Sequence, residues 1–348
     1  MPGLEQLRIE ETHSLDDVYA FLTRNGFTDG LPVIPPTPRR VEAMLAGRAP
    51  DHVIAQVEPA RGAASLRALA QCAVMAGCIP DHFPVLIAAT RAVADPDFNL
   101  LGVQSTTGNT AVLLLVNGPL VQRLNFNGGG NALGPGCHAN ATVGRALALV
   151  LRNVGGAIPG KRDMATQGQP AKYTCCCAEN ERANPWGPLS VARGFLAGQS
   201  TVTAFAIAGM VEVVDSGSSE AASMLTTLAN SMAMPGSMGG AGMLGSGEPL
   251  ILLAPEHAAI VARQMSRAQA QAFLWQQARL SHTRLSPEAQ RRWIAAQLER
   301  GETAAGDIRV AARPEDIQIA VVGGPGQKST YVPTWGGGTR TITRAIEA

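Results

Sequence analysis

The sequence predicts an α/β fold: a mixed sheet with helices on both faces and long glycine-rich loops at the strand ends. Three observations predict it. Short apolar runs alternate with helical text through most of the chain. The segment "AVLLLV" at 111–116 is continuously apolar, as a strand covered on both faces should be. Thirty-eight glycines against 4% aromatic residues describe many tight turns and close backbone approaches.

The elements follow in chain order. Ser14 as N-cap, Asp17 three residues on, and Leu15, Val18, Tyr19 and Leu22 at helical spacing specify a first helix that stops at Gly26. In "TDGLPVIPPTPRR", Pro32, Pro35 and Pro36 impose an extended path, and Thr37-Pro38 opens a short helix to Leu45. Residues 1–60 therefore read as a helix and a proline-rich wrap, and 61–348 as the main α/β domain, one compact unit. Alanine-rich helical text runs from Leu66 to Ala94, broken at "CIPDHFP". Cys72 and Cys78, six apart, match no metal spacing and read as packing residues.

"NLLGVQST" and "TAVLLLVNGP" read as strands, the second ending at Asn117-Gly118-Pro119. The loop "NFNGGGNALGPG" runs into a buried helix, "CHANATVGRALALVLRNVGG", capped by Asn140 or Thr142, with Arg145 and Arg152 on its one polar stripe. Beyond the cysteines come strand text at 200–215, the helix "SEAASMLTTLANSM", the strand "PLILLA" and the helix "PEHAAIVARQM". Further helices run through Trp275 and from Ser286 to a stop at Gly301, and "DIQIAVVGGPG" is a last apolar strand. Leu101–Ser105, Ala111–Val116, Ile251–Ala254 and Ile317–Val322 are expected in one sheet, with their following loops gathered at one edge, where such sheets bind ligands. "LLLVNGPLVQRL" and "LILLAPEHAAIV" echo each other faintly, each a strand meeting Pro and then a helix.

Charge excludes some partners. The net charge is +1, and basic residues cluster only as Arg39-Arg40 and Arg291-Arg292, so no footprint for nucleic acid or an anionic membrane is present. The start, "MPGLEQLRIEETHSLDD", has no apolar stretch of a secretory signal, which favours a cytoplasmic protein. No apolar run approaches the roughly 20 residues that span a bilayer. In a reducing compartment the six cysteines are buried hydrophobes, metal ligands or reactive thiols. A small-molecule substrate is the expected partner, and a homo-oligomer is left open.

Several segments can carry chemistry. The glycine loop, with Asn127, Gly129, Asn131 and Asn140, offers backbone donors ahead of a helix start, and Arg145 in the first turn adds a charge; together they suit an anion. The dinucleotide fingerprint is absent. "VVGGPGQKST" fails as a phosphate loop because Gln327 precedes Lys328 and "YVPTWGGG" cannot be a helix; Lys328 and Ser329 remain substrate contacts at a strand end, as does Asn117.

In "KYTCCCAENE", a strand path points Cys175 and Cys177 to one side and Cys176 to the other. A metal reading adds Cys137 and His138, a ligand set for Zn²⁺, although no CxxC or HxxxH spacing supports it. A nucleophile reading uses Cys176, with Glu179 and Glu181 as proton carriers and His138 as base. A structural reading buries the run in a strand and gives Glu179 a salt bridge. The polar groups of "AENERANPWGPL" would be costly beside a core strand unless paired or wet, which favours a cleft wall.

The segments "DGLPVIPPT", "GVQSTTGN", "LVNGP", "GPGCHANATVGRAL", "LRNVGGAIPG", "GQPAKYT", "CAENE" and "GGPGQKS" resemble, over almost the whole chain, a largely uncharacterised bacterial protein family associated with small proteins of the UGSC (seleno)protein type. The resemblance implies a (seleno)protein partner and thiol or selenol chemistry on a small molecule. It matches Cys176 to the family's cysteine ahead of "AENE" and makes Cys175 and Cys177 additional. The expected function is an enzyme acting on a small polar or anionic molecule by reductive or lytic cleavage through a thiol adduct. The alternatives are a metal-dependent hydrolase or lyase using Cys, His and Glu ligands, and a non-catalytic subunit that presents a ligand to its partner.

Overall fold

The computed structural model describes residues 9–236, 247–299 and 306–347. The chain divides into two compact units, Met1–Glu179 with Ser190–Ala206 and Thr341–Ala348, and Asn180–Leu189 with Ile207–Arg340. This division does not coincide with the expected boundary near residue 60, because the proline-rich wrap packs as part of the first unit.

In the first unit, helix α1 (Leu15–Arg24) starts where Ser14 Oγ accepts from the Asp17 amide at 3.1 Å, and it buries Val18 and Leu22. Helix α2 (Pro38–Leu45) follows Thr37 as the Thr-Pro pair dictates. Strands β1 (Val53–Val57) and β2 (Gly62–Ser65) form an antiparallel hairpin. Ser65 then caps α3 (Leu66–Ala76), which is buried almost all round and ends at Gly77. Helix α4 (Phe83–Val93) restarts beyond the proline break.

The segment expected as a strand at Leu101–Ser105 is instead helix α5 (Leu100–Ser105). The reason is local: Asn99, at φ 52°, caps it by accepting from the Gly102 amide at 3.3 Å, and a run this short reads equally as strand or helix. Strand β3 (Ala111–Asn117) is buried at every residue, and a single turn, α6 (Leu120–Arg123), follows it. Next come α7 (His138–Asn153), β4 (Cys176–Ala178), the short α8 (Leu189–Ala192) and β5 (Thr201–Ile207).

The second unit holds β6 (Val211–Val214), α9 (Ala221–Met232), β7 (Leu250–Leu253), α10 (Pro255–Ala262), α11 (Arg267–Gln277) and β8 (Arg279–Ser281). Helix α12 (Pro287–Glu299), β9 (Asp307–Arg309), β10 (Gln318–Val321) and β11 (Lys328–Val332) complete it. The expected helix stop at Gly301 lies outside the described residues. Strand β12 (Ile342–Ala345) returns to the first unit.

The predicted α/β class holds, with two mixed four-stranded sheets in place of one. Their orders are β12-β5-β3-β4 and β10-β7-β11-β6. The expected gathering of Ala111–Val116, Ile251–Ala254 and Ile317–Val322 in one sheet is therefore corrected: the first belongs to one sheet, the other two to the second. The sheets share a plan. In each, a buried strand has a later parallel partner on one side, β4 on β3 and β10 on β7, and the next strand on its other side. A fourth strand pairs antiparallel at the edge: β12 on β5, and β6 on β11. The fourth strands are exchanged, since β6 follows β5 in the chain while β12 follows β11. The faint sequence echo falls on β3-α6 and β7-α10, corresponding places in the two plans.

Helix α7 packs against β4 closely enough that a Cβ on Gly144 would lie 2.8 Å from the Cys175 amide nitrogen and 3.2 Å from Cys176 Cβ. On helix propensity alone Gly144→Ala should stabilise by about 1 kcal/mol. The contact reverses the sign, and the variant is expected to be less stable by about 1–3 kcal/mol in denaturant unfolding.

Candidate functional site

The cysteine run enters β4, which pairs parallel to β3 through Leu114 with Cys176 and Leu115 with Cys177. Helix α7 lies over the face that carries Cys176, and all three residues are buried: Cys176 is 5% exposed and Cys177 is 0%. Burial pushes the Cys175 thiol up to about 12. It drives Cys176 and Cys177 higher still, helped by their neighbours. This corrects the expectation of Cys176 as an accessible nucleophile, because a desolvated thiol keeps its proton. Glu179, at the end of β4, is 2% exposed and accepts from Asn117 Nδ2 at 2.7 Å, where Asn117 ends β3. Both are parts of a buried polar pair. Glu181 belongs to the second unit.

The glycine loop crosses the end of β4 with its backbone in contact. Ala178 donates to Asn127 O at 3.0 Å, and a Cβ on Gly128 would sit 2.6 Å from Ala178 O. Asn140, buried in the first turn of α7, holds the loop shut. Its Oδ1 accepts from the Asn127 amide at 3.0 Å, and its Nδ2 donates to Asn127 O at 2.9 Å and Ala132 O at 3.0 Å. The Gly129 amide donates to Asn127 Oδ1 at 2.8 Å, and Asn131 Nδ2 donates to Pro135 O at 2.8 Å. The donors expected to cradle an anion here are thus committed within the loop.

Arg145 is committed too. It forks onto both carboxylate oxygens of Asp29 at 2.8 Å and reaches Leu31 O at 3.3 Å. Burial raises the Asp29 carboxyl, but the hydrogen bonds and charge of Arg145 outweigh it and hold Asp29 below its ordinary value. The expected anion anchor is therefore an internal ion pair fastening the proline-rich segment to α7. Lys328 and Ser329 lie on β11 of the second unit. Lys328 is exposed, but Ser329 is 1% exposed and structural: its hydroxyl donates to His257 Nδ1 at 2.7 Å and accepts from the Ala254 amide at 3.0 Å. His257 Nε2 in turn donates to Asp215 O at 2.9 Å.

An open cavity of about 510 Å³ lies beside the glycine loop and is lined by His82, Asn127, Asn131, Cys137 and His138 among others. Cys137 is the N-cap of α7 and partly exposed, and its single S–H has two acceptors in reach, Asn125 O and Asn140 Oδ1, each at 3.2 Å. His138 Nε2 lies 2.9 Å from Gly77 O, a pure acceptor, so Nε2 carries the proton and Nδ1 is the bare nitrogen of the neutral ring. For His82 the assignment is opposite. Thr142 Oγ1 donates to His138 O at 2.8 Å and so accepts from His82 Nδ1 at 3.3 Å, which leaves His82 Nε2 bare. The two rings stand 5.4 Å apart. Burial, then the nearby His138, lowers His82 to about 4, so it is neutral at pH 7.

Of the expected site residues, the cavity brings together Asn127, Asn131 and His138, with Gly129 and Asn140 behind them in the loop. It adds His82, which sequence reasoning passed over inside a helix break, and Cys137, which was read only as a metal ligand. Among the described residues, no group of three or more His, Cys, Asp or Glu side chains is placed to hold a metal ion. No described helix is long and apolar enough to cross a membrane. Comparison of the chain with protein-family models, with curated proteins and with solved structures finds no match.

Two outcomes follow from this geometry. Asn140→Ala removes the loop's clamp and leaves the Asn127 amide without its acceptor; it should cost about 1–3 kcal/mol in chemical unfolding. Asp29, whose folded pKa is depressed, contributes stability fully above its ordinary value of 3.8 and loses it as pH falls through the lower folded value. Asp29→Asn should therefore be less stable than the parent at pH 7, and the gap should narrow as unfolding curves are taken below about pH 4.

Proposed function

We propose that the first unit acts on a small polar molecule through a cysteine thiol, and that the thiol is Cys137. The observation that carries this reading is exposure. Cys137 lines a cavity with two imidazoles, whereas Cys175, Cys176 and Cys177 are buried. A thiol in that position adds across a polarised double bond of the substrate: the S–C bond forms as the π bond breaks, its electron pair moves to the neighbouring atom, and the S–H proton passes by way of His138 Nδ1 to that atom. Asn127 and Asn131 give the cavity its polar wall, which suits a polar substrate.

The resemblance of the sequence to a family associated with UGSC-type (seleno)proteins supports thiol chemistry from an independent side. Such a partner would supply the second thiol or selenol that a reductive step requires. A cytoplasmic setting would keep Cys137 reduced between turnovers.

The test is selective alkylation. On the native protein at neutral pH, iodoacetamide followed by peptide mass spectrometry should label Cys137 well before Cys175, Cys176 or Cys177, and Cys137→Ser should abolish the early label. Replacing His138 by Gln should slow labelling while leaving the far-ultraviolet circular dichroism unchanged. Equal rates at Cys176 and Cys137 would overturn the assignment.

A further inference from the structure

A second cavity in the first unit, of about 550 Å³, is lined by β3, by the later turns of α7 and by the 157–173 loop. That volume is in the range that encloses a small organic ligand. Val112, Leu147 and Leu151 supply apolar lining. Its lining carries the charges of Asp29, Asp163, Arg152 and Lys172, and Arg145 reaches Asp29 from outside the lining. Lys172 pairs with Asp163 at 2.5 Å, and Arg145 with Asp29 at 2.8 Å. Arg152 has no ion pair of its own, although the Asp29 charge is felt there: its Nε donates to Gly26 O at 3.2 Å, and its two Nη groups have no hydrogen-bond partner among the described residues.

Two buried neutral groups line the same cavity without partners. Gln104 is 8% exposed, and its side-chain amide makes no hydrogen bond among the described residues. Thr110 is 2% exposed, and its hydroxyl likewise has no partner. Buried polar groups are satisfied in folded proteins by protein, water or ligand. Two such groups beside the free guanidinium nitrogens of Arg152, on a lining that also holds Val112, Leu147 and Leu151, call for a ligand with a polar head and an apolar body.

We propose that this cavity binds a small monocarboxylate, its carboxylate held by Arg152 with the Thr110 hydroxyl and the Gln104 amide, and its apolar body resting on Val112, Leu147 and Leu151. A single surplus cation balances one negative charge, which favours a carboxylate over a phosphate dianion. The planar guanidinium matches the two carboxylate oxygens. Arg152 lies about 22 Å along α7 from Cys137, so this is a separate site and does not rest on the thiol reading.

The experiment is isothermal titration of the intact protein with sodium octanoate, 1-octanol and octyl phosphate. Octanoate should saturate a single site, with the alcohol and the phosphate at least about tenfold weaker. Arg152→Met keeps the stem and removes the charge, and should weaken octanoate about 10- to 100-fold. Thr110→Val is isosteric, leaves no ion pair broken, and should weaken it about three- to tenfold. If Arg152→Met does not fold, the alcohol comparison and Thr110→Val decide. Absence of octanoate binding, equal binding of the alcohol, tighter binding of the phosphate, or unchanged affinity in Thr110→Val would each overturn the proposal.

Discussion

The approach of α7 to β4 at Gly144 governs the first unit. A side chain there would collide with the backbone of Cys175, so the helix lies directly on the strand and Cys176, on that face, has no room to reach solvent. The same close seat fixes where both ends of α7 fall. Its first turn carries Cys137 and His138 to the glycine loop, where Asn140 closes the loop by bonding both ways to the Asn127 backbone. Its later turns supply apolar lining and the Arg152 cation to the other cavity. One contact of backbone on backbone thus sets two chemical environments and shields a third set of reactive groups between them.

Burial decides which cysteine is available for chemistry. The run of three attracts the eye because thiols and carboxylates stand together in sequence, yet a strand covered by a helix on one side and paired to β3 along its edge gives each thiol an apolar surround. Desolvation then works against ionisation at each of them. Cys137 sits at a helix terminus, where the chain changes direction and side chains meet open space. At the strand ends Asn117 Nδ2 donates to Glu179, which offsets part of the cost of burying the two side chains there.

Much of this was legible in residue patterns, and the failures have physical reasons. Helices with a cap, a periodic apolar face and a glycine stop were readable, as α1 illustrates through Ser14 and Val18. The buried strands β3, β7 and β10 announced themselves as continuous apolar runs. Leu101–Ser105 was misread because five residues fit either period, and the deciding signal was Asn99 as a cap. That the apolar strands divide between two sheets is a matter of topology, which local patterns do not encode. The pairing of Arg145 with Asp29 spans a separation that no local pattern reports, so an arginine near a glycine loop looked like a ligand anchor. His82 and Cys137 are far apart in the chain and meet only because α3 and α4 bring residues 77–82 against the first turn of α7.

The exchange of edge strands between the two sheets has a consequence for how the protein is made. The sheet that carries β3, β4 and β5 is finished by β12, residues 342–345, which leave the ribosome after every strand of the other unit. Until then β5 presents an unpaired edge, and such edges recruit other strands. The first unit therefore cannot mature ahead of the second during synthesis, although most of its sequence comes first. A short deletion or an awkward fusion at the last few residues would open a sheet whose remaining strands lie more than a hundred residues upstream.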